Sequence, residues 1–128
     1  MVTFIPLSKV YELNRNKMEE IVFIFGNPTI LIIFLTFLLF KSFPPKGINS
    51  WYGYRTPRSM KNQKRWNFAQ KYSANMFFRD AFGLLIIQIA LKIGFPQEYY
   101  IDLGLLLLWL ILSVIIIYKT ETKLKKMD

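Results

Sequence analysis

The sequence predicts an all-α membrane protein, with three transmembrane helices and a cytoplasmic interfacial amphipathic helix between the first and second spans. Three observations predict it. Apolar residues make up 53% of the 128-residue chain and are gathered into long runs, where a water-soluble core would spread them along amphipathic periods. Two of these runs, Ile21 to Phe40 and Tyr99 to Tyr118, hold Asp102 as their sole charge, and each is about 20 residues long, enough to cross a hydrocarbon core of roughly 30 Å. Charge is segregated as well: the chain carries 17 Lys and Arg against 8 Asp and Glu, a net +9, and the cations cluster between and after the apolar runs.

Residues 1–20 lack the charged start, apolar middle and small-residue cleavage site of a signal peptide. A product starting at Met18 would keep every later feature, so this segment is read as peripheral. Gly26-Asn27-Pro28 interrupts the first apolar run. Either Asn27 caps a helix with proline in its first turn, or proline kinks a continuous span. A helix starting at Pro28 would be short for a crossing, which favours the kinked span. Pro44-Pro45 ends the helix because neither residue donates a backbone bond. Residues 46–56, with Gly47, Asn49, Ser50 and Gly53, have no helical period and read as an ordered turn.

At Thr56-Pro57 the pattern turns helical, with Thr56 as cap and Ser59 as a second candidate. Met60, Trp66, Ala69, Ser73 and Phe77 recur at helical spacing, whereas Lys61, Lys64, Arg65 and Lys71 fall largely on other faces. This predicts an amphipathic helix resting at the membrane interface. Arg79 and Asp80 adjoin and neutralise each other at the inner edge of the second span, Ala81 to Phe95. That span is about 15 residues long and holds Gln88 and Lys92, so by length alone it also fits a buried or re-entrant helix. Residues 94–98 make the outer turn. Lys92 and Asp102 stand equally far from Gln97, so a hairpin places them at one depth, either paired or snorkelling separately to the headgroups. Asn27 with Gln88, and Thr36 with Ser113, form two further matched levels suited to interhelical hydrogen bonds.

Charge asymmetry sets the topology. With three spans, the loop 41–79 and the tail 119–128 share one side and hold thirteen cations, leaving Lys9, Arg15, Lys17 and Lys92 on the other. With two spans the bias would shrink to ten against seven. Cytoplasmic loops collect Lys and Arg, so the N-terminus is placed outside and the loop and tail in the cytoplasm. The organisation is then a peripheral segment 1–20, a three-span membrane domain 21–118 and a basic tail 119–128.

The chain has no Cys and no His, which removes disulfides, thiol nucleophiles, histidine acid–base chemistry and the usual zinc ligands. No cofactor, metal or catalytic residue is expected. Of the carboxylates only Asp80 adjoins the basic loop, and one carboxylate without a partner makes no catalytic constellation. The loop's nine cations stand beside Trp51, Tyr52, Tyr54, Trp66 and Tyr72, a composition that suits phosphate contact and base stacking. It is equally the composition of an interfacial loop facing anionic lipid, so direct nucleic-acid binding is not expected and membrane lipids are.

What stands out is the run 49–59, NSWYGYRTPRS, followed by Trp66 and Asn67. Gly53 permits a turn that lets Arg55 fold back. Arg55 suits a bidentate grip on a phosphate, a helix C-terminus or a carboxylate, while Asn49 and Ser59 suit loop backbone groups. These residues serve a ligand site or merely order the loop, since both use the same chemistry. The set Asn49, Tyr52, Gly53, Tyr54, Arg55, Thr56, Pro57, Ser59, Trp66 and Asn67 resembles the signature of the SdpI family of small bacterial membrane proteins, over residues 43–83. The resemblance implies immunity to a membrane-acting peptide toxin and capture of a cytoplasmic transcriptional regulator at the membrane. This chain is shorter than the best-known member, with fewer spans. The runner-up is a lipid-binding or transport-associated envelope protein, acting as a homo-oligomer because three spans enclose little cavity.

Overall fold

A computed structural model describes residues 3–24, 28–95 and 99–128. They form four helices and, among the described residues, no strand: α1 (Leu7–Ile24), α2 (Thr29–Ser42), α3 (Gln63–Gly94) and α4 (Tyr99–Lys125).

The segment read as peripheral is largely helical. The Pro6 carbonyl accepts from the amides of Lys9 and Val10 to open α1. Residues 7–19 are exposed throughout, and α1 touches only α3 among the helices. An exposed one-turn ion pair, Arg15–Glu19 at 3.8 Å, adds little stability.

α1 ends at Ile24 and α2 begins at Thr29, with Pro28 as its N-cap at φ −73° and the Pro28 carbonyl accepting from Ile32 N at 2.8 Å. The described part of the apolar run falls in two helices, and proline's fixed φ and missing N–H suit the start of the second; the join at residues 25–27, within the expected kinked span, lies outside the described residues. Gly26 and Asn27 lie outside the described residues, and the Asn27–Gln88 level with them. At 14 residues α2 is about 21 Å long, less than a hydrocarbon core.

No separate interfacial helix follows. Residues 57–60 make one turn, and α3 then starts at Gln63 and runs 32 residues without a break. Asn62 is its cap, accepting from Arg65 N at 2.9 Å, as a short polar side chain does for the orphan amides of a first turn. The helical stripe is buried rather than laid on a surface: Trp66 and Ala69 are inaccessible and Ser73 nearly so.

α3 is the centre of the molecule, packed against α2 and α4, which touch each other only slightly. The core holds Ile30, Ala81, Leu84, Leu105 and Trp109. Phe37 stacks on Phe77 at 4.5 Å between centroids, and Trp109 tilts against both rings. Such aromatic contacts add about 0.5–1.5 kcal/mol beyond burial. Thr36 and Ser113 do not bond across helices; each hydroxyl donates to the carbonyl four residues back in its own helix, the local partner that is always within reach. Among the described residues α4 is the one helix long and apolar enough to cross a membrane. α2 is too short, and Gln88 and Lys92 interrupt the apolar half of α3.

Candidate functional site

Lys46 to Asn62 form a compact cap between the end of α2 and the facing ends of α3 and α4, held by hydrogen bonds within its own backbone and to all three helices. Asn49 starts it. Its Oδ1 accepts from the amides of Trp51 (2.8 Å) and Tyr52 (3.0 Å), and its Nδ2 donates to the Gly47 carbonyl at 3.0 Å. This is the Asx turn that asparagine favours. Tyr52 stacks on Phe40 and donates its hydroxyl to the Phe43 carbonyl at 3.2 Å, tying the loop to the end of α2.

Gly53 and Tyr54 then pass α3 closely. Gln70 grips the Tyr54 backbone on both sides: its Oε1 accepts from Tyr54 N, and its Nε2 donates to the Tyr54 carbonyl, each at 2.7 Å. One side-chain amide thus replaces a strand's pairing. Gly53 adopts φ +105°, and a Cβ there would come within 2.5 Å of Gln70 Oε1 and 2.7 Å of Pro45 Cγ. Only glycine fits both the backbone conformation and the space.

Thr56 and Ser59 exchange side-chain bonds with each other's amides, Thr56 N to Ser59 Oγ at 2.8 Å and Ser59 N to Thr56 Oγ1 at 3.2 Å. This is a reciprocal capping box closing the single turn that contains Pro57. Thr56 therefore caps as expected, but for one turn only. The Ser59 hydroxyl is fully buried between the carbonyls of Tyr54 and Thr56. Arg55, itself exposed, folds back onto the Ser50 carbonyl. Trp66 has no accessible surface and donates its indole N–H to the Pro45 carbonyl at 2.9 Å. Asn67 is exposed and accepts from Gln63, whose Nε2 also reaches the Lys46 carbonyl.

The cap is also latched to α4. Tyr54 donates to Glu121 Oε1 at 2.7 Å, and Arg58 lies 3.5 Å from Glu121 Oε2. Burial, reinforced by the bond to Glu121, pushes the Tyr54 phenol well above its ordinary pKa, so it stays a donor. Arg65, nearly buried, reaches the Leu124 carbonyl and the Asp128 carboxylate, with Lys61 3.4 Å from the same oxygen. Its bond to Arg65 holds the Asp128 carboxyl below the usual range.

Eight of the ten motif positions thus fall in the cap and the other two, Trp66 and Asn67, in the first turns of α3 beside it, and their polar groups bond chiefly within this region. Gln70, Glu121, Asn62 and the Arg65–Asp128 latch were not anticipated. The one signal for Gln70 was an amide four residues after Trp66 on an otherwise apolar face. At the far end of α3, Lys92 Nζ lies 2.7 Å from Asp102 Oδ2, with Gln88 Nε2 donating to Oδ1 at 3.1 Å. Lys92 and Asp102 are 6% and 12% exposed, so they meet inside the protein instead of snorkelling apart. The turn residues 96–98 lie outside the described residues. Arg79 and Asp80 pair at 2.8 Å. Among the described residues no His, Cys, Asp and Glu cluster could hold a metal.

The family model of the SdpI/YfhL protein family matches residues 46–118, from the start of the cap to late in α4. "Uncharacterized protein YfhL" of Bacillus subtilis (strain 168) is 41% identical over 90 residues, covering 70% of this chain and 76% of that protein. No solved structure matches. With α4, this match associates the chain with a membrane. A family match over more than half of the chain and a relative of this identity lead to one conclusion: the chain belongs to the SdpI/YfhL protein family.

Proposed function

We propose that this protein spans a bacterial cytoplasmic membrane three times and protects its cell from a membrane-acting peptide toxin, with capture of a cytoplasmic regulator as a second output. It acts without catalysis. The N-terminus lies outside, and the cap and the tail 119–128 lie in the cytoplasm. Charge asymmetry supports this orientation, and α2, the second half of α3 and α4 each overlap one of the three apolar segments. The short α2 and the apolar half of α3 are accommodated by local thinning of the bilayer.

The observation that carries the functional reading is that the family motif builds a rigid cap which leaves Trp51 89% exposed and Arg55 at the surface. A self-bonded loop that exposes a large aromatic beside a cation has the makings of a recognition surface. The test is survival of a deletion strain, complemented with wild type, Arg55→Ala or Trp51→Ala, across a panel of membrane-active peptides. Selective protection, lost in Trp51→Ala at unchanged protein level, is expected. No protection against any peptide would overturn the immunity reading. Orientation has its own test: a cysteine replacing Ser50 should resist an impermeant thiol reagent in intact cells, and rapid labelling would reverse the topology.

A further inference from the structure

Beside the cap lies a groove of about 580 Å³ between the end of α2 and the first half of α3. Lys41, Lys46 and Lys71 line it, with amides from Asn67 and Asn75 and no carboxylate. It adjoins a second, mainly apolar cavity of about 220 Å³, whose walls include Phe37 and Phe77. The two hollows share Phe40, Pro45, Gln70 and Ala74. A cationic recess and an apolar one therefore share these residues as walls.

From this juxtaposition we propose that the groove is a binding site for one anionic phospholipid, with the phosphate among Lys41, Lys46 and Lys71 and the start of an acyl chain against Phe40 and Ala74. The proposal rests on the membrane reading above, but needs neither a toxin nor a particular orientation. Charge complementarity identifies the headgroup. Three ammonium groups without a carboxylate favour an anion, and the Lys41 ammonium lies 4.4 Å from the centre of the Phe78 ring, a cation–π contact that places it at the apolar edge. The adjoining apolar walls argue for a lipid over a free phosphate, which would leave them uncovered. Asn75 makes no side-chain bond to a described residue, so its amide remains available for the polar headgroup.

A second cationic hollow, lined by Lys119, Lys123 and Lys126 with Tyr72 and Tyr118, supplies the control. It has the same number of lysines but shares no wall with the apolar cavity.

The experiment is native mass spectrometry of the purified full chain in neutral detergent, titrated with phosphatidylglycerol or phosphatidylcholine of identical chains, with and without glycerol phosphate as competitor. Wild type should retain one phosphatidylglycerol in preference to phosphatidylcholine. The triple variant Lys41→Gln/Lys46→Gln/Lys71→Gln should lose roughly 100-fold in affinity, taking about fivefold for each charge near an anionic surface. The control triple Lys119→Gln/Lys123→Gln/Lys126→Gln should change it less than threefold. Should the first triple fail to fold, Lys46→Gln/Lys71→Gln, which leaves the contact of Lys41 with Phe78 intact, should lose roughly 25-fold on the same reckoning. Equal retention of the two lipids, equal losses in the two triples, or wild-type binding by the groove variant would overturn the proposal. Full displacement by equimolar glycerol phosphate would reduce the site to an anion site and overturn the lipid assignment. Carbonate extraction reads membrane residence separately, so failure here is distinguishable from failure of the membrane or immunity readings.

Discussion

Replacing Gly53 with alanine isolates the device that holds the cap to α3. A Cβ at this position would stand 2.5 Å from Gln70 Oε1, so the Gln70 amide must withdraw and release both bonds to Tyr54. Each bond is worth about 1 kcal/mol net, and holding a non-glycine residue at this positive φ adds about 1–3 kcal/mol. The expected loss is about 3–5 kcal/mol, confined to opening of the cap because the α2–α3–α4 core is untouched. Amide exchange over residues 49–59 reads this directly, since local opening sets the exchange rate. Exchange should accelerate by at least roughly 100-fold, at tenfold per 1.4 kcal/mol, while residues 81–92 keep wild-type protection. In a Gln70→Ala background the share due to the two bonds, about 2 kcal/mol, should vanish because they are already gone, while the cost of the positive φ and the approach to Pro45 Cγ remain. Less than a threefold acceleration in Gly53→Ala would refute the clamp.

Three further outcomes follow from the same contacts. Asp102→Asn should destabilise the protein by about 3–5 kcal/mol by leaving a buried ammonium unpaired, whereas Lys92→Met/Asp102→Leu should be close to neutral; equal losses in unfolding by mixed micelles would deny that the pair is buried. Trp66→Phe should cost about 1–2 kcal/mol for the bond to the Pro45 carbonyl and Trp66→Ala about 3–5 kcal/mol, and equal effects would show that the bond contributes nothing. Because Asp128 has a lowered folded pKa, its contribution to docking the end of α4 is present above the unfolded value of about 3.9 and lost as pH falls through the folded one. Asp128→Asn should therefore remove the acid-side step in exchange of residues 119–128 below about pH 4, because at neutral pH the variant already exchanges as fast as acid-treated wild type; an unchanged step would assign it elsewhere.

Some of this was legible in the sequence because it depends on short-range chemistry. Pro44-Pro45 does end a helix, Asn49 does organise the turn after it, and Gly53 is the position of positive φ. Equal spacing about Gln97 brings Lys92 to Asp102 because helices only a few residues apart in sequence keep equal residue counts at equal depth. What depends on distant partners was hidden. Gln70 reads as a polar blemish on an apolar stripe until Tyr54 is beside it, and nothing local marks Glu121 as the acceptor for a tyrosine 67 residues earlier. Helix joins were misjudged for a related reason. Thr56-Pro57-Arg58-Ser59 carries every sign of a helix start and delivers one turn, because Asn62 caps the following segment better and the loop's own bonds hold the two apart.

The continuity of α3 has a mechanical consequence. Trp66, wedged beneath the cap, and Lys92, paired beyond the core, belong to one unbroken helix and are separated by 26 residues, about 39 Å along its axis. No hinge interrupts the rod between them, so a tilt or axial twist imposed at the Asp102 end arrives at the Trp66 end undiminished. There it meets a loop whose indole, amide and glycine contacts tolerate only tenths of an ångström. The molecule is built as a shaft with a close-fitting collar, and displacement at one end of α3 would be read at the other as strain in that collar.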